Sequence, residues 1–147
     1  MARDRTTPER SGDLVLPATA TSPSRARAFV GEWLTAWGLA DDVHDVLLAV
    51  SELVTNGLLH ARTTMTLRVL RTGSDTVRLE VSDGSVAPPR GRRFTVESGT
   101  GRGLRLLDSI AEEWGVSTHD GGKTVWCVVR TGARDYAEFD VDAVEAL

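Results

Sequence analysis

Two stretches of strict alternation, Met65–Arg71 and Thr76–Ser82, face each other across four residues and set the strongest limit on what this chain can fold into. Side chains of an extended strand point to opposite faces in turn, so Leu67 and Val69 share one side of the first stretch. Val77, Leu79 and Val81 share one side of the second. Gly73-Ser74-Asp75 has the composition of a turn, and the whole reads as a β-hairpin. A second pair, Trp114–Thr118 and Thr124–Arg130, turns at Asp120-Gly121-Gly122. Leu14–Leu16, stopped by Pro17, reads as a short edge strand, because proline cannot donate to a ladder.

Between and before these strands the period changes to that of a helix. Ser22-Pro23 has the pattern of an N-cap hydroxyl followed by proline at the first helical position, and Ala26, Phe29, Val30, Trp33, Leu34 and Trp37 follow on one side up to Gly38. Asp41 opens a longer helix with Val43, Val46, Leu47, Val50, Val54 and Leu58 on one face and a polar face opposite. Leu104, Leu106, Leu107, Ile110 and Ala111 mark a third. The expected architecture is an α/β (α+β) two-layer sandwich, a mostly antiparallel mixed sheet covered on one face by three helices.

The 147 residues suit one domain, and 41% hydrophobic with 26% charged residues is the composition of an ordinary globular protein. We expect a flexible leader over 1–12, one domain over 13–130 and an acidic tail over 131–147. A formal charge of −4 disfavours loose nucleic-acid binding. No apolar run approaches the ~18 residues of a membrane span, so neither nucleic acid nor membrane is an expected partner. Cys127 stands alone in an alternating apolar stretch, and the natural compartment for such a chain is the cytoplasm. His44, His60 and His119 have no zinc-site spacing.

Three places could carry chemistry. Glu52 and Asn56, one helical turn apart, project side by side, and the helical period puts both roughly opposite the apolar face; a solvated helix surface looks the same, but a carboxylate and an amide oxygen also make a base and a hard-cation ligand. Asp83-Gly84 ends a strand where a long irregular segment begins; it is either a plain turn or a carboxylate placed to accept from an exocyclic amine. Gly99-Thr100-Gly101-Arg102-Gly103 stands immediately before a helix, where main-chain amides can face an anion. Five arginines, Arg90, Arg92, Arg93, Arg102 and Arg105, against the single Glu97 add local positive charge, which points to phosphate. Gly121-Gly122-Lys123-Thr124 imitates the tail of a P-loop, but Ser117 stands where that motif needs glycine and a strand follows instead of a helix.

Taken in order, Ser51-Glu52-Leu53-Val54-Thr55-Asn56, Asp83-Gly84-Ser85, Gly99-x-Gly101-x-Gly103-Leu104 and Gly122-Lys123-Thr124-Val125-Trp126 resemble the GHKL (Bergerat) ATP-binding fold. More closely, the chain is similar to the single-domain anti-sigma-factor serine kinases and their actinobacterial relatives. The resemblance implies ATP and Mg²⁺ as cofactors, with Asn56 holding the metal and Glu52 orienting or deprotonating the attacking hydroxyl. It implies that Asp83 takes the adenine amine with support from Thr124. It further implies cofactor contacts from Gly84 and from Gly99, Thr100, Gly101, Arg102, Gly103 and Leu104, the glycines bringing amides to the phosphates. An anti-anti-sigma (STAS-type) protein as phosphate acceptor, a sigma factor as alternate partner and a homodimer also follow from it. The sequence departs from that pattern at Ser85 and Ala87, where D-x-G-x-G is common, and at Gly57, where relatives often carry alanine. These departures keep open a second reading, a non-catalytic ATP-binding module that docks a protein partner.

Overall fold

A computed structural model describes residues 10–39, 43–84, 101–119 and 121–132, with side chains from 106 onward in the third stretch. The chain order is β1 (Ser11–Leu16), α1 (Ser22–Ala36), α2 (His44–His60), β2 (Met65–Arg71), β3 (Thr76–Asp83), α3 (Gly101–Ile110), β4 (Glu113–His119) and β5 (Gly122–Arg130). The described strands form one five-stranded sheet in the order β1-β2-β3-β5-β4. All four pairings are antiparallel, so the expected mixed element is not found among them. The α/β two-layer sandwich stands, with β1 at an edge as its proline stop required.

Alternation decides which face is covered. Met65, Leu67 and Val69 on β2, Val77, Leu79 and Val81 on β3, and Val125, Cys127 and Val129 on β5 are all buried. They meet Ala26, Val30 and Leu34 of α1, and Val46, Ala49, Val50, Leu53 and Val54 of α2, in one core. Removing a valine or leucine side chain of this kind from water contributes about 1.5–3 kcal/mol. The residues in between, such as Arg68, Arg78 and Trp126, lie on the face opposite the described helices, where the Arg78 guanidinium stands 4.2 Å from the Trp126 ring centre.

The helix boundaries differ from the sequence expectation in instructive ways. Ser22 is not the N-cap of α1; that position is Thr21, and no side chain caps the helix. The Ser22 hydroxyl is buried and donates back to the Pro17 carbonyl at 2.5 Å, tying the end of β1 to the helix start. Gly38 does end α1, in a left-handed conformation at φ 74°. The Leu39 amide donates to Leu34 and the Gly38 amide to Thr35, which closes the last carbonyls in a Schellman arrangement. The capping residue of α2 is Val43, and Asp41 lies outside the described residues. So do the expected leader up to residue 9, the segment 85–100 and the tail from 133.

Candidate functional site

The helix α2 carries the first pair. Its buried side is Val46, Ala49, Val50, Leu53 and Val54, and it continues through Asn56 and Gly57. Glu52 and Asn56 therefore do not lie opposite the apolar face, as the helical period suggested. They run along its flank, with Asn56 only 4% exposed and Glu52 half-buried. Burial raises the Glu52 carboxyl above its ordinary range, because the charged form loses hydration. A raised carboxyl nearer neutrality is the better proton acceptor in general-base chemistry.

Gly57 explains how this flank is aimed at the sheet. A Cβ there would come within 2.5 Å of the Met65 sulfur and 3.7 Å of Val81, so the missing side chain lets α2 settle onto β2 and β3. Met65 is the ladder partner of Asp83. The helix turn bearing Asn56 thus meets the end of the sheet where Asp83 stands.

Asp83 is itself buried, in phase with Val77, Leu79 and Val81, and faces the helices. Its neighbour across the β3–β5 ladder is Lys123, whose Nζ lies 2.9 Å from Asp83 Oδ2. Gly122, before it, has a positive φ of 149°, and a Cβ on it would overlap the Asp83 carbonyl oxygen and lie 2.9 Å from the carbonyl carbon. Only glycine permits that approach of the two backbones. The last three residues of the imitation P-loop thus belong to a strand, and its lysine forms a buried ion pair.

Thr124 requires a correction. It pairs with Ser82 in the ladder and its hydroxyl lies 2.7 Å from the Ser82 hydroxyl and 3.1 Å from His119 Nε2. Those groups occupy the face opposite the described helices, so Thr124 is on the opposite side of the sheet from the Asp83 carboxylate and does not support it. Lys123 does, and alternation contained the signal, since residue 123 is in phase with Val125, Cys127 and Val129 on the core side. His60, in the last turn of α2, senses the same cation: partial burial and then the Lys123 charge lower its imidazole below the ordinary range.

The glycine segment is partly described. The helix α3 begins at Gly101, so Gly101, Arg102, Gly103 and Leu104 form its first turn instead of preceding it. The leading amides of a helix have no partner within it and favour negative charge. Gly99 and Thr100 lie outside the described residues, as do Ser85 and Ala87, while Gly84 is exposed just past β3. Among the described residues no group of three or more His, Cys, Asp or Glu forms a metal cage.

A known family model, the histidine kinase-like ATPase domain, matches residues 16–129, and the chain belongs to that family. Among solved structures it is similar to the RsbU and RsbW domains of Rv1364c from Mycobacterium tuberculosis, with 24% identity and a TM-score of 0.62. That match covers 84% of this chain and 32% of the other, so the chain spans about a third of the length of the protein it resembles. The likeness is one of fold. No curated protein matches the chain. Among the described residues, no helix is long and apolar enough to cross a membrane.

Proposed function

We propose that the chain is an ATP- and Mg²⁺-dependent serine/threonine protein kinase of the anti-sigma-factor type. On this reading it phosphorylates an anti-anti-sigma protein of the STAS type, binds a sigma factor as its alternate partner, and works as a homodimer in the cytoplasm. The observation that carries the reading is the buried Asn56 amide, one turn from a carboxyl raised by burial, on the helix turn that meets Met65, the ladder partner of Asp83. Membership of the histidine kinase-like ATPase family supports ATP as the ligand.

The residues suit the cofactor. A hard divalent ion such as Mg²⁺ keeps waters and phosphate oxygens as ligands and needs few from protein, so a single amide oxygen from Asn56 fits it and an all-protein cage is not required. When bound, the metal would neutralise phosphate charge. Glu52 would orient or accept the proton of the partner's hydroxyl, and the amides at the start of α3 would face the phosphates. Phosphoryl transfer asks mainly for such positioning and charge balance.

Incubating the chain with labelled ATP and candidate STAS-type proteins tests the reading. Transfer to a serine of one partner is expected, with a loss of about 10²-fold or more in Glu52→Ala. Transfer at the wild-type rate in Glu52→Ala overturns the role given to that residue. The Lys123–Asp83 pair favours a second reading, in which the chain holds nucleotide and docks a partner without transfer, because the carboxylate expected to meet the base is already engaged. ATP binding without transfer to any partner, unchanged in Glu52→Gln, selects that alternative.

A further inference from the structure

The resemblance to ATP-binding proteins accounts for Asp83 and says nothing of the lysine beside it. The two side chains are 4% and 8% exposed. An ion pair this buried adds little net stability, since desolvation of both charges consumes most of their attraction, and an apolar pair of the same size would hold β3 to β5 about as well. The pair is nevertheless held firmly in place. The close approach of Gly122 to the Asp83 carbonyl fixes both backbones, and the ladder register puts the two side chains next to each other on the covered face. Lys123 is buried on the covered face of β5, the face that packs against α2.

We propose that Lys123 reads the nucleotide base together with Asp83 and opens the site to 6-oxopurines, the guanine class, as well as to adenine. The proposal rests on the reading of Asp83 as the base-contacting carboxylate. A lone carboxylate only accepts hydrogen bonds. It suits the 6-amino group of adenine and sets oxygen against oxygen when the base carries O6. A carboxylate with an ammonium at its side offers an acceptor and a donor together. Adenine then gives its amine to Asp83 and accepts at N7 from Lys123, so that both bases meet the lysine and the carboxylate in the same order along their edge. Guanine accepts at O6 from Lys123 and gives N1–H and its 2-amino group to Asp83. An ammonium has three N–H donors, so it can hold the carboxylate and a base atom at once, and the ion pair need not open.

The test is calorimetric titration of the full chain with Mg-ATP and with Mg-GTP, in the wild type, Lys123→Met and Lys123→Arg, each shown by circular dichroism to be folded at the assay temperature. The wild type is expected to bind the two nucleotides within about tenfold of each other, and Lys123→Met to raise the ratio of the GTP to the ATP Kd by about a hundredfold, because O6 loses the donor that Lys123 supplies. Lys123→Arg, which keeps a donor, is expected to stay near the wild-type ratio. Preference of the wild type for ATP by more than about a hundredfold, or an unchanged ratio in Lys123→Met, overturns the proposal. Should Lys123→Met fail to fold, the wild-type ratio decides alone. ATP binding with GTP excluded removes this proposal and leaves the kinase reading standing, whereas binding of neither nucleotide removes both.

Discussion

Lys123→Met and Asp83→Asn, made singly and together, test whether the buried ion pair is a coupled unit. At 2.9 Å and an effective dielectric of about 20, the attraction between unit charges is about 6 kcal/mol. Several kcal/mol of lost hydration per ion opposes it, so the intact pair is close to neutral for stability. Removing one partner abolishes the attraction and keeps the hydration cost of the other, which is 6% to 7% exposed as a residue. Each single variant is therefore expected to lose about 3–5 kcal/mol, and the double variant, with two neutral side chains of similar size, less than either single. Urea unfolding followed by tryptophan fluorescence and circular dichroism gives the four stabilities, with the slope against urea as a check that the unfolded state is unaltered. In a thermal scan the single variants should melt on the order of 10 °C lower. Additive losses, with the double variant as unstable as the two singles summed, would show that the two charges do not depend on each other and refute the reasoning.

Other consequences are sharp enough to measure. Gly122→Ala combines a strained φ, about 1–3 kcal/mol, with an overlap on the Asp83 carbonyl that costs a further ~1–3 kcal/mol, and should lower the melting temperature markedly; a loss below about 1 kcal/mol would mean β3 and β5 separate freely there. Glu52→Gln should stabilise the chain at neutral pH. The folded carboxyl is raised, so its ionised form is penalised in the native state, and the gain should grow as pH rises above 4.5 and vanish below it. For His60 the sign reverses with the charge type. Its folded value is lowered, the unfolded chain binds the proton first, and stability should fall as pH drops through 6.5, a loss that His60→Gln removes. Equal pH profiles for His60→Gln and the wild type would contradict that assignment.

How much of this was legible in the sequence depends on which contacts decide each feature. The hairpins and the covered face follow from period-2 alternation, and the three helices from the 3.6-residue period, because burial on one side writes those patterns directly. Ser22 illustrates the limit: a Ser-Pro pair matches a capping pattern, but the hydroxyl is claimed by the Pro17 carbonyl, and local composition does not reveal that partner. Asn56 is a second case. Polar residues on a helix read as the exposed side, yet this amide is buried at the flank of the apolar stripe, where Gly57 draws the helix onto Met65. Lys123 differs again, since its place in the alternation with Val125 and Cys127 was visible. A glycine pair and a lysine are stronger turn signals than strand signals, and they concealed it. The ion pair depends on the β3–β5 register, which joins segments distant in sequence and is not encoded locally.

Apart from β1 at one edge, the sheet can be viewed as two hairpins, β2–β3 and β4–β5, stitched along one seam between β3 and β5. Each hairpin closes over a short turn at little entropic cost, whereas the seam must bring together distant parts of the chain. The rung of Asp83 and Lys123 lies at the tip of that seam, where the main chain leaves β3. Partial opening that parts the hairpins must break this rung, and a molecule bound across it would act as a rivet. Amide protons along β3 and β5 should then exchange more slowly when the rivet is present, while those in the turn at Gly73–Asp75 keep their pace.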